Sequence, residues 1–121
     1  MKRAHKKLDV WKEGVALATD VYHRTEGFPK SEMYGLTSQM RRAAISVPSN
    51  IAEGAARLSA KEFAQFLNIA GGSLSELDTQ VEIARNLGFI SDQQKQELDL
   101  KIDSISAKLA GLIKNVRSSG M

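Results

Sequence analysis

Apolar residues recur along this chain at alternating steps of three and four, the spacing that keeps one stripe of a helix turned toward a partner. Trp11, Val15, Ala18 and Tyr22 make one stripe, with Val10, Leu17 and Val21 beside it. Met40, Ala44, Val47, Ile51, Gly54 and Leu58 make a second, with Tyr34 and Leu36 leading into it. Phe63, Leu67, Ala70, Leu74, Leu77, Val81 and Ala84 make a third, and Leu98, Ile102, Ile105, Leu109, Leu112 and Val116 a fourth. Four stripes predict four helices, and no strand pattern, linker, low-complexity stretch or solenoid-length repeat competes with them.

The residues between the stripes predict where each helix starts and stops. The first is expected from Asp9, as N-cap, to Thr25, ended by Gly27-Phe28-Pro29. The second is expected from a Ser31 cap to Leu58, about 40 Å at 1.5 Å per residue. Pro48 inside it has no N–H for the carbonyl of Ala44, so a kink or restart is expected there, with Ser46 or Ser49 bonding the freed backbone groups. Ser59 and Glu62 form a capping box for the third helix, and Gly88 closes it. Gly71-Gly72 costs about 1 kcal/mol per glycine in a helix interior, which predicts the close approach of another helix, within the subunit or between subunits. Ser91 and Gln94 repeat the capping pattern for the fourth helix, where Lys114 and Arg117 suit the C-terminal dipole. Short connections then give an all-α fold, an antiparallel up-down-up-down four-helix bundle. It is expected as one domain over 1–121, with 1–8 a basic flexible arm and 118–121 a frayed tail.

Composition narrows the function classes. A chain of 121 residues, 42% hydrophobic and 26% charged, is an ordinary globular one. No run approaches a membrane span, and the N-terminus lacks the apolar stretch of a signal peptide, so a cytoplasmic address is expected. The absence of cysteine removes disulfides, thiolate nucleophiles and sulfur-based zinc sites. A net charge of +3 and a pI near 9.3 hint at anionic partners. Lys2, Arg3, Lys6 and Lys7 precede the first acid and read either as a nucleic-acid-binding arm or as a solvated terminus.

Catalytic chemistry has little to work with. The two histidines are His5, in the arm, and His23. Asp20 and His23 form half of the carboxylate–histidine arrangement of di-iron bundles, which need two such pairs, so a surface hydrogen bond is the expected use. No metal, cofactor or enzymatic activity is expected. Asn50 and Glu53 can bond one another, satisfy backbone groups near Pro48, or pair with Arg57. Arg41, Arg42 and Arg57 are the strongest binding candidates, because guanidinium forks suit phosphate oxygens, and Arg85 and the arm could extend their patch. Intersubunit salt bridges are an equal explanation for the same arginines.

The run Arg41-Arg42-Ala43-Ala44-x-Ser46-x-Pro48-x-Asn50-Ile51-Ala52-Glu53-Gly54 resembles the signature of the small four-helix-bundle proteins encoded in intervening sequences of bacterial 23S ribosomal RNA genes. Phe63-x-x-Phe66-Leu67-x-x-Ala70-x-Gly72-Ser73-x-x-Glu76-Leu77 and Ala84-x-x-Leu87-Gly88 extend the likeness. Similar proteins include the accessory subunit of diversity-generating retroelements, a five-fold ring with a basic surface that works with a reverse transcriptase. The resemblance implies a homo-oligomer, a pentameric ring, that meets RNA or DNA, or a reverse transcriptase or other nucleic-acid-handling protein. Pro48, Asn50, Glu53, Gly54 and Gly72 are then motif residues with structural roles. The alternative is an assembly module that binds no nucleic acid.

Overall fold

The computed structural model describes residues 3–119. Four helices follow one another, α1 (Asp9–Thr25), α2 (Leu36–Ala55), α3 (Ala60–Asn86) and α4 (Asp92–Ser119). Each packs on the next and α4 returns to α1, while the diagonal pairs make no close backbone approach among the described residues. The helices run antiparallel, because bonded partners fall in number on one helix as they rise on the other. Glu13 meets Ser104, Asp20 meets Lys101 and Arg24 meets Glu97 across α1 and α4.

α1 has the expected boundaries with a different N-cap. Leu8 occupies the N-cap without a side-chain bond, and Asp9 is the first helical residue, its carboxylate at the positive end of the helix. Val10, Leu17, Ala18 and Val21 face the core. Val15 and Tyr22, on the other stripe, are each 39% exposed, because a corner helix with two neighbours buries one stripe fully.

α2 is shorter than its periodicity implied. Residues Lys30–Glu32 form a 3-10 turn, and the helix starts at Leu36, whose amide donates to the Glu32 carboxylate at 3.1 Å. Glu32 therefore does the capping expected of Ser31. Tyr34 and Leu58, extrapolated onto the core stripe, stand almost wholly in solvent. The twenty residues of α2 span about 30 Å.

Pro48 lies inside a continuous α2, where no restart occurs. Its ring is buried against Gly14 of α1, at which a Cβ would sit 3.3 Å from the Pro48 Cβ. Neither serine bonds the freed backbone in the expected way. The Asn50 side-chain amide donates instead to the Ser46 carbonyl at 2.8 Å and to the Ser46 hydroxyl at 2.9 Å. That hydroxyl shares a 2.7 Å hydrogen bond with Ser73 of α3.

The α2–α3 seam is the most extensive in the bundle, with Ser46 meeting Ser73 and Gly54 meeting Phe63 and Phe66 across it. A Cβ on Gly54 would stand 2.8 Å from the Phe66 Cβ and 3.1 Å from the Phe63 carbonyl. Glycine alone lets the helices meet there. At Gly71 and Gly72 nothing lies within 4 Å of where a Cβ would be. Close approach within the subunit, offered for that pair, is thus found at Gly54 and Gly14 instead.

Local bonds specify the turns. The Glu62 amide donates to the Ser59 hydroxyl at 3.1 Å. Gly88, at φ 78°, donates to the Arg85 carbonyl and Phe89 to the Ala84 carbonyl, closing α3 in a Schellman motif. Ser91 and Gln94 form the full reciprocal box at 3.1 and 2.9 Å. The Phe89 ring then packs 5.3 Å from that of Phe28, tying the α3–α4 turn to the α1–α2 link. α4 continues to Ser119, into the stretch expected to fray, and residues 120–121 lie outside the described residues.

Candidate nucleic-acid interface

The signature arginines have three different fates. Arg41 points at the C-terminal turn of α1, where its Nε donates to the Thr25 hydroxyl at 2.9 Å and its guanidinium lies 4.6 Å from the centre of the Tyr22 ring. A second donor reaches the Tyr22 carbonyl at 3.4 Å. Arg57 pairs with Glu53 at 2.5 Å, one turn back on the same face, and lies over the Phe66 ring at 4.8 Å. Arg42 is exposed and has no ion-pair partner among the described residues. It borders a polar cleft of about 310 Å³ with Gln39, Ser46, Ser73 and Glu76. Arg42 lies in the first half of α2 and Arg57 two residues beyond its last turn, so the three arginines do not form one patch.

The other motif residues divide by role. Asn50 bridges to Ser46, Glu53 holds Arg57, and Pro48 and Gly54 shape the two seams of α2. Gly72 is exposed and has no packing role inside the subunit. Arg85 pairs with Asp92 at 2.5 Å across the α3–α4 turn and does not extend an arginine patch. Of the arm, Lys2 lies outside the described residues, while Arg3, Lys6 and Lys7 are exposed. Residues Ala4–Lys7 form a 3-10 turn against α1 and α2, with the His5 ring 4.9 Å from Trp11.

Register rather than motif gathers the charge. Leu17, Ser46, Ser73 and Ser104 mark the middle of the four helices. The half containing the start of α1 holds Arg3, Lys6, Lys7, Lys12, Arg57, Lys61, Lys108, Lys114 and Arg117 against Asp9, Glu13, Glu53 and Glu62. The other half holds seven cations, Arg41 and Arg42 among them, against ten acids. The bundle is therefore polarised along its axis, and Lys2 adds to the basic end in sequence. Sequence reasoning missed Lys12, Lys61 and Lys108 because they are scattered along the chain. Counting charges by helix direction was the signal that would have found them.

The acidic half bears on catalysis and metal binding. Asp20 accepts from Arg24 at 2.8 Å and Lys101 at 2.9 Å, while His23 faces Glu26 at 3.8 Å. The expected Asp20–His23 hydrogen bond is therefore not formed. Burial pushes the Asp20 carboxyl up, but the hydrogen bonds and charges of Lys101 and Arg24 outweigh it and hold it below the usual carboxylate range. Glu13 is also lowered, chiefly by its hydrogen bond from Lys108 and then by that from Ser104. Among the described residues no group of three or more histidine, aspartate or glutamate side chains is placed to hold a metal ion. Among the described residues no helix is long and apolar enough to cross a membrane.

This combination of a signature on α2, its continuation on α3 and an antiparallel bundle can be compared with known proteins. The family model described as 23S rRNA-intervening sequence protein matches residues 6–111. The chain belongs to that family. Among solved structures it is similar to a protein of unknown function from the S23 ribosomal protein family of Bacteroides thetaiotaomicron, at a TM-score of 0.78 and 21% identity. That likeness covers 87% of this chain and 98% of the other, and it concerns the fold. No curated protein matches the chain. As an intervening-sequence protein, the chain uses its signature largely to build the α1–α2 and α2–α3 seams.

Proposed function

We propose that this chain is a non-enzymatic, self-associating scaffold of the cytoplasm whose basic end binds RNA or DNA. The observation that carries the reading is the axial division of charge, nine cations against four acids at one end of the described residues. Such a surface meets phosphates rather than base edges, so binding is strongly salt-dependent and weak in sequence preference. A ring, five-fold by family resemblance, sets several copies of one weak surface side by side, and multivalency supplies the affinity that one copy lacks. The half-exposed Val15, Tyr22 and Ile45, around a shallow groove of about 320 Å³ between α1 and α2, support self-association. A reverse transcriptase or another nucleic-acid-handling protein fits such a scaffold as a partner.

The second reading is an assembly module that binds no nucleic acid. It is favoured by Arg41 and Arg57, which are engaged within the chain. Fluorescence anisotropy with a labelled RNA separates the two. Binding is expected to weaken steeply between low and moderate salt, and Lys6→Gln with Lys7→Gln to flatten the slope of log K against log salt by up to about two. Micromolar protein that fails to shift RNA or DNA at low salt would overturn the first reading. Light scattering coupled to size exclusion is expected to give several times the 13.3 kDa chain mass, and a monomer at every concentration would overturn the scaffold.

A further inference from the structure

A line of three clefts follows the α3–α4 seam, and its charge reverses from one end to the other. At the basic end a cleft of about 340 Å³ lies between the first turn of α3 and the last turn of α4, bordered by Lys61, Gln65 and Arg117. Midway, Gly71 and Ser75 border it with Asp78 and Asp103. At the far end Asp78, Glu82, Asp99 and Asp103 surround Lys95, whose ammonium is tied to Asp99 at 2.6 Å. The same two helices thus build a cationic mouth and an anionic floor.

We propose that the mouth formed by Lys61, Gln65 and Arg117 is a phosphate-binding notch. The proposal rests on the nucleic-acid reading above and names the subsite through which the backbone would be held. Neither Lys61 nor Arg117 has an ion-pair partner among the described residues, whereas Glu13 and Glu53, acids of the same half, are engaged by Lys108 and Arg57. A guanidinium, an ammonium and a carboxamide bordering one open cleft are the kinds of donor that a tetrahedral oxyanion requires. Lys95 at the far end is neutralised by its neighbours, and the acids there repel a polyanion. The seam therefore admits one phosphate at its basic end and does not serve as a track for a strand.

Two measurements on the full chain test this. NMR spectra titrated with inorganic phosphate, against sodium chloride at matched ionic strength, are expected to show the resonances of Lys61, Ala64, Gln65 and Arg117 moving and saturating with phosphate alone. Equal movement in chloride, or movement spread over every lysine, would overturn the notch. Anisotropy with a short RNA then compares the wild type, Lys61→Gln with Arg117→Gln, and Lys30→Gln at the opposite end, each checked for an unchanged helical spectrum. The double variant is expected to lower the salt slope by about one and Lys30→Gln to leave it unchanged. RNA binding with a wild-type slope in the double variant would overturn the notch and leave the basic-end reading intact. No RNA binding by any form, with notch resonances still moving in phosphate, would overturn that reading and identify a site for free phosphate. RNA carrying a 5′-phosphate or a 5′-hydroxyl distinguishes the remaining sources. Equal affinity assigns the notch to a backbone phosphodiester, and a loss with the hydroxyl form assigns it to the terminal group.

Discussion

The α2–α3 seam and the α1–α4 seam close the same bundle by opposite means. α2 and α3 meet through a glycine that leaves no room for a methyl group and one serine pair. α1 and α4, the least extensive of the four helix pairs, are joined along their outer edge by polar rungs, Glu13 to Ser104 and Lys108, Asp20 to Lys101, and Arg24 to Glu97. The first seam depends on shape and is indifferent to salt and pH, while the second depends on charge and responds to both. Four superficially similar stripes of apolar residues therefore do not produce four similar interfaces.

The largest expected effect comes from spoiling the shape of the first seam. Gly54→Ala places a methyl group 2.8 Å from the Phe66 Cβ and is expected to cost about 1 to 3 kcal/mol, as other overpacked cores do. Urea denaturation checks the loss, which should be the same at low and high salt. Next is Arg24→Gln, which removes the two-acid clamp of a side chain only 16% exposed. A loss of about 1 kcal/mol is expected at low salt. High salt should shrink it, and a loss unaffected by salt would end the contrast between the seams.

A smaller effect comes from acid. Glu13 and Asp20 both titrate lower in the folded chain than when unfolded. Their contribution is present above the ordinary carboxylate value, about 4, and is lost as pH falls through the lower folded values. Urea midpoints measured from neutral pH downward should drop more for the wild type than for Glu13→Gln with Asp20→Asn. Parallel curves would remove these carboxylates as the cause. The smallest effect belongs to Glu53→Gln, which breaks an exposed pair one turn apart on α2. A change of about 0.5 kcal/mol or less is expected.

The two seams also mark what the chain discloses on its own. α1, the stripe of α3 and the capping boxes at Ser59 and Ser91 were legible because each depends on residues within one turn. Tyr34 and Leu58 misled because both lie beyond the ends of α2, where the helical period no longer applies. Gly54 and Gly72 are the same residue in the same kind of helix, and only the partner's position decides which one admits a close approach. Arg41 and Arg42 differ by one step of about 100° around α2, enough to turn one onto the end of α1 and leave the other in solvent. The basic end stayed hidden because its cations come from five segments that only antiparallel packing brings together.

The reciprocal cap at Ser91 and the left-handed turn at Gly88 affect the order in which the molecule assembles. Every bond that reverses the chain between α3 and α4 joins residues close in sequence, so that hairpin can form with little loop entropy to overcome. The rungs from Glu13 to Ser104 and Lys108 join positions 91 and 95 residues apart. Docking α1 on α4 is consequently expected to come late in folding. A chain still emerging from the ribosome would hold its first three helices together before Lys108, Lys114 and Arg117 completed its basic end.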